Sequence, residues 1–181
     1  NRVEEQISLL AKEVLQSPQI LTYDLIQWLL TASAKAAHIF FYALGQGDQD
    51  FHFRTTIEAL GRNALGNRAF APYFAGWATR DLEGAESRLD QLAVLHAVAP
   101  ASLLETTSCL DPTPRGLKRM NQVAPEDPEY AAAILGRWTD RLGSKEFKEL
   151  LQIIAGTSLE HTSAAVDLLG SWMYHQKPFD D

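Results

Sequence analysis

The chain is poor in the residues that would make its chemistry obvious. Its 181 residues hold one cysteine, Cys109, which excludes an internal disulfide and a thiolate metal cage. Basic side chains number 16 against 23 acidic, a net charge of -7 with an isoelectric point near 5.2. That balance disfavours a nucleic-acid binder, which needs a basic face. No apolar run reaches the roughly 18 residues of a membrane span; the longest, from Ala36 to Leu44, contains His38 and stops at Gly45. No stretch of four or more residues alternates cleanly with β-branched enrichment, so strands are not expected. With Asn1 first and no charged-then-apolar leader after it, the chain reads as a piece of a longer protein of cytoplasmic location.

What is present is helical spacing. The 46% hydrophobic and 22% charged fractions are those of a folded domain. Val3, Ile7, Leu10 and Val14 mark one helix face, ended by Ser17-Pro18. Thr22 is placed to cap a second helix whose face runs Leu25, Trp28, Leu29, Ala32, Ala36, Ile39, Phe40 and Ala43. Gly45-Gln46-Gly47 is expected to stop it through a left-handed glycine. A third helix carries Phe53, Ile57, Leu60 and Ala64. Asn67 and Asp81 are expected to cap helices near 68–79 and 82–98, and Pro100 opens another. Pro112 and Pro114 force a turn, followed by a short helix from Pro114. Asp127-Pro128-Glu129 starts a helix near 129–142, with two more near 145–156 and 159–175. The expected fold is all-α: about eight to ten helices in stacked hairpins, either an α-α superhelix or an irregular bundle. It forms a single domain over 1–181 with N-terminal helices at 1–50, one unit at 51–98, a proline-containing connector at 99–127 and a second unit at 128–175.

The two units rest on an internal match. Sliding the chain by 77 residues brings Leu65, Gly66, Phe70, Ala78, Leu82, Glu83, Asp90 and Leu92 onto Leu142, Gly143, Phe147, Ala155, Leu159, Glu160, Asp167 and Leu169. Those are eight identities in 28 positions, where composition alone gives about two. Asn67 meets Ser144 and Asp81 meets Ser158, so the expected caps fall in register. The reading is a duplicated hairpin, with Phe70 and Phe147 both inward. A lone hairpin cannot bury its apolar stripe, so such units stack.

The run Ala69 to Leu92, with its Arg80-Asp81-Leu82-Glu83 turn and then Ala85 and Leu89, resembles a tetratricopeptide hairpin. The run Leu159 to Trp172 resembles the second helix of a HEAT repeat. The Trp, Leu-Gly and Tyr spacing of the tetratricopeptide first helix is absent from 66–79. The resemblance spans about a third of the chain, implies stacked helices, and carries over no functional residue.

Candidate sites are few. His38, His96, His161 and His175 fall in expected helices; no HExxH or ExxH occurs, and the nearest candidate pair, Glu160-His161, is adjacent and so points about 100° apart. His96 continues the inward stripe Ala85, Leu89, Leu92. No GxSxG occurs, and Cys109 is expected to be buried and inert with no basic neighbour. Asp48 and Asp50 have the alternate spacing of a calcium loop but lack its glycine and bidentate glutamate. No cofactor is implied. Arg115, Lys118 and Arg119 form the one compact basic cluster, a solvated face or a contact for an acidic partner. Phe70, Tyr73, Phe74 and Trp77 make an aromatic stripe, read either as core or as anchors of a groove, with Phe74 in the core and Tyr73 partly exposed. The leading expectation is a non-enzymatic helical-repeat module that binds another protein, with Tyr73, Trp77, Arg115, Lys118 and Arg119 as candidate contacts. One alternative is a small-molecule or nucleotide enzyme with a helical cleft served by His96, His161 or His175. A third, RNA binding by stacked hairpins, is disfavoured by charge.

Overall fold

A computed structural model describes residues 2–138, 141–156 and 159–175, leaving aside the side chains of 64, 159–161, 164, 171 and 175. Among them are eleven α-helices, three short 3-10 turns and no strand. The chain divides into two compact units, Asn1–Ser102 and Leu103–Asp181. The division falls within the stretch 99–127 read as a connector.

The N-terminal unit holds α1 (Arg2–Gln16), α2 (Tyr23–Leu29), α3 (Ala37–Gly47), α4 (Arg54–Leu60), α5 (Asn67–Arg80) and α6 (Leu82–Val94). Its centre is the crossing of α3 and α5, with α1 on α3, and α4 and α6 on α5. Two glycines make that crossing close. A Cβ added at Gly45 would overlap the carbonyl oxygen of Tyr73, and one at Gly76 would overlap that of Tyr42. Each helix therefore presents a bare backbone to the other, and Phe40, Phe41, Leu44, Phe70, Tyr73 and Phe74 fill the remaining space, all buried. Pro72 stands inside α5, where its missing N–H leaves the carbonyl of Arg68 without its helical donor.

The expected second helix is two, which raises the count above eight to ten. Thr31 Oγ1 donates to the Trp28 carbonyl at 2.7 Å, and the Arg68 guanidinium donates to the carbonyls of Leu30 and Thr31. Those acceptors are thereby spent outside the helix ladder, and the chain turns between Leu30 and Ala36. Trp28, expected inward, is exposed. The helix that follows ends at Gly47 without a left-handed glycine; among the described residues only Gly156 has that conformation. Gly45 serves the crossing with α5, and Gly47 lies against the Leu15 side chain of α1. On α1 the inward side chains are Ala11 and Val14, while Val3 and Leu10 are exposed.

The C-terminal unit continues α7 (Pro100–Cys109) from Leu103 and adds α8 (Pro114–Val123), α9 (Pro128–Leu135), α10 (Ser144–Ala155) and α11 (Leu159–His175). Here α9, α10 and α11 pack on one another and α8 meets α10. Among the described residues the buried aromatic side chains of this unit are Phe147, stacked on Trp172 at 4.7 Å, and Trp138, whose indole N–H donates to the Leu110 carbonyl at 3.0 Å.

Caps read from sequence hold at Thr22, Asp81 and Asp127, whose side chains accept from the backbone N–H groups of Leu25, Gly84 and Tyr130. They do not hold at Asn67 and Ser144. Both are the first residue of their helix, behind Gly66 and Gly143. The Asn67 amide oxygen instead accepts from the Ser102 hydroxyl. Ser158 lies outside the described residues. Helix α6 stops at Val94 rather than near 98, because the Ala97 N–H turns back to the Leu92 carbonyl and His96 takes a left-handed φ of 46°. Helix α9 stops at Leu135, before Gly136, rather than near 142.

Candidate functional site

The N-terminal unit gathers its polar and aromatic chemistry where α3 ends. Asp48 is 1% exposed. Its carboxylate accepts from the backbone N–H groups of His52 at 2.8 Å and Phe53 at 2.9 Å, and from the Tyr73 hydroxyl at 2.8 Å. Burial, and then the Asp48 hydrogen bond and charge, push the Tyr73 hydroxyl far above its ordinary pKa. This carboxylate thus ties the segment 48–53 to α5 through three hydrogen bonds.

The tie also holds Phe51 at a φ of 56°, a conformation a bulky side chain rarely adopts. The Phe51 ring sits 4.6 Å from Trp77, with the guanidinium carbons of Arg54 and Arg80 at 4.8 and 5.7 Å from its centroid. Arg80 donates to the Asp48 carbonyl at 3.3 Å. Arg54 faces Glu58 at 3.8 Å, but Glu58 is already gripped by both arms of Arg88 at 2.7 Å. Two guanidiniums therefore share one phenylalanine, and among the described residues neither has a hydrogen-bonded carboxylate. The indole N–H of Trp77 is buried with no acceptor in reach among the described residues.

A second cluster lies in the C-terminal unit. Glu105 accepts from the Tyr130 hydroxyl and from Arg137, each at 2.7 Å. Arg137 also donates to Ser108 Oγ at 3.0 Å and reaches Cys109 Sγ at 3.6 Å. Cys109, expected buried without a basic neighbour, is an exposed residue with an arginine beside it. Its thiol is nonetheless pushed up, because desolvation of the sulfur and the charge of Glu105 outweigh Arg137 and Ser108.

The structure rearranges the candidate contacts. Tyr73 and Trp77 are buried with Phe70 and Phe74, so the partial exposure expected for Tyr73 is corrected. Their helix face is the one that meets α3 across the glycine crossing. Arg119 is buried as well, its Nε donating to Thr107 Oγ1 at 2.9 Å. It follows Gly116, Met120 and Val123 onto the inward side of α8 and away from exposed Lys118 and half-buried Arg115. These three do not form one basic face. His96 is exposed beyond the end of α6 rather than inward, and the side chains of His161 and His175 lie outside the described set. Sequence reading missed Phe51, Arg54 and Arg80, whose meeting depends on the fold of three segments.

Among the described residues no group of three or more His, Cys, Asp and Glu side chains is placed to hold a metal ion, and no helix is long and apolar enough to cross a membrane. No family model, curated protein or solved structure matches the chain.

Proposed function

We propose that the chain is a non-enzymatic helical module that binds another protein, and that the N-terminal unit docks its partner at Phe51, Arg54 and Arg80. The observation that supports this is the pair of arginines over one strained phenylalanine, anchored from below by the buried Asp48 and Tyr73. Arginine and aromatic side chains dominate the energetics of protein interfaces, and rigid anchors lose little entropy on binding. The aromatic stripe contributes here as the floor on which Phe51 rests through Trp77. A repeat-built scaffold is part of the same reading: α5 and α10 begin 77 residues apart, and Phe70 and Phe147 are both buried.

The test uses the intact chain as bait in native extract, beside an Arg54→Ala/Arg80→Ala double variant with an unchanged melting profile. Proteins retained by the wild type and lost by the variant support the docking point. Equal retention by both baits removes it.

A further inference from the structure

We infer that the Arg54–Phe51–Arg80 cluster recognises a carboxylate, supplied as an acidic side chain of a bound protein. The inference rests on the docking point above and names its chemistry. Two features converge. First, the arginines differ from Arg88, Arg137 and Arg141, each of which holds a carboxylate oxygen at 2.7 Å. Arg80 has a single 3.3 Å bond to a carbonyl, and Arg54 a 3.8 Å approach to a glutamate already gripped by Arg88. Second, stacking on an aromatic ring restrains a guanidinium while leaving its N–H edge open, and that edge matches the two oxygens of a carboxylate.

Charge decides which oxyanion. Arg54 and Arg80 contribute two positive charges, and the buried Asp48 beneath them one negative. Asp50 adds another, 3.8 Å from the His52 imidazole. With both aspartates counted the cluster is near neutral, so a singly charged carboxylate adds one negative charge, whereas a phosphate dianion adds up to two and is repelled more strongly by both aspartates. Recognition by fork-shaped donors also predicts that charge alone is insufficient.

The experiment follows the arginine Nε–Hε resonances of the intact protein during titration with a hexaglutamate peptide, with inorganic phosphate and hexalysine in parallel. Saturable shifts confined to Arg54 and Arg80 with hexaglutamate are expected. Arg54→Gln and Arg80→Gln should each weaken the affinity about tenfold. Arg80→Lys should weaken it too, since an ammonium cannot pair with both oxygens. Should Arg80→Gln lose its fold, Arg54→Gln and Arg80→Lys carry the same test. Stronger binding of phosphate than of hexaglutamate overturns the carboxylate assignment, as does full affinity in Arg80→Lys or the absence of shifts. If hexaglutamate fails while extract proteins are still retained by the wild type and lost by the double variant, docking stands and its chemistry is different. If hexaglutamate binds but retention is equal, the site takes carboxylates and partner docking lies elsewhere.

Discussion

The two helical hairpins, α5 with α6 and α10 with α11, agree in their first helices and part in their second. Each first helix starts behind a glycine and buries a phenylalanine four residues into the helix, Phe70 and Phe147. Tyr73 and Trp77 then correspond to Leu150 and Ile154, all four buried, so the inward face is kept while its chemistry changes from aromatic to aliphatic. In the second helices the faces do not correspond. Leu89 and Leu92 are buried in α6, but Val166 and Leu169 at the matching positions are exposed, and Ala165 and Leu168 are buried instead. The inward face of α11 has slipped by one residue against α6. An identity such as Leu92 with Leu169 therefore joins two residues with different jobs, and sequence identity alone overstates the likeness of the hairpins.

The largest effects should come where the hairpins agree. Phe70→Ala and Phe147→Ala should each cost about 3–5 kcal/mol by opening a core cavity. Urea denaturation followed by circular dichroism measures both. A loss below about 1 kcal/mol at either one would break the correspondence of the first helices.

The slip itself is tested next. Leu92→Ala should cost about 2–5 kcal/mol, while Leu169→Ala should stay within about 0.5 kcal/mol, the range of surface changes. Equal losses in the two variants would restore the 77-residue register through the second helix and remove the slip.

The glycine at the centre of the first hairpin gives a smaller effect and a sharper contrast. Gly76 corresponds to the half-buried Ile153. In an open helix Gly→Ala is stabilising by about 1 kcal/mol. Here the new Cβ would overlap the Tyr42 carbonyl, which belongs to the backbone of α3 and cannot swing away. Gly76→Ala should therefore cost about 1–3 kcal/mol by overpacking. Ile153→Ala removes partly exposed methyl groups and should cost about 1 kcal/mol. Stabilisation by Gly76→Ala would mean that α3 and α5 do not meet so closely.

These contrasts show what a reading of the sequence reaches. Helices announce themselves through local spacing, and the caps at Thr22, Asp81 and Asp127 through a side chain acting on a backbone group three residues away. Both signals are short-range. The direction of a face is harder, because it depends on which neighbour arrives: Tyr73 is buried since Gly45 lets α3 approach its carbonyl. Arg119 and Lys118 are adjacent in sequence, yet one follows the inward turn of α8 and the other does not. The cluster of Phe51, Arg54 and Arg80 was least accessible of all. Position 80 is brought to position 51 by the helix crossing and by the buried Asp48–Tyr73 bond, neither of which leaves a periodic mark. Likewise the break after Leu30 depends on Arg68, 37 and 38 residues away.

The smallest effect concerns the turn that joins α5 to α6, where a cap and a glycine compete for one space. The Asp81 carboxylate accepts from the Gly84 N–H at 2.9 Å, and Asp81→Ala should cost about 1 kcal/mol. A Cβ on Gly84 would overlap an oxygen of that same carboxylate. Gly84→Ala therefore gains helix propensity of about 1 kcal/mol while displacing a cap of similar worth, and should leave stability nearly unchanged. With Asp81 already replaced by alanine nothing remains to displace, so adding Gly84→Ala should recover most of the propensity gain. The double-mutant cycle should then show a coupling of about 0.5–1 kcal/mol, read as the difference between the two Gly84→Ala effects in thermal or urea melts. A Gly84→Ala effect equal in both backgrounds would mean that the carboxylate moves aside while keeping its bond, and that the glycine and the cap are independent features of this turn.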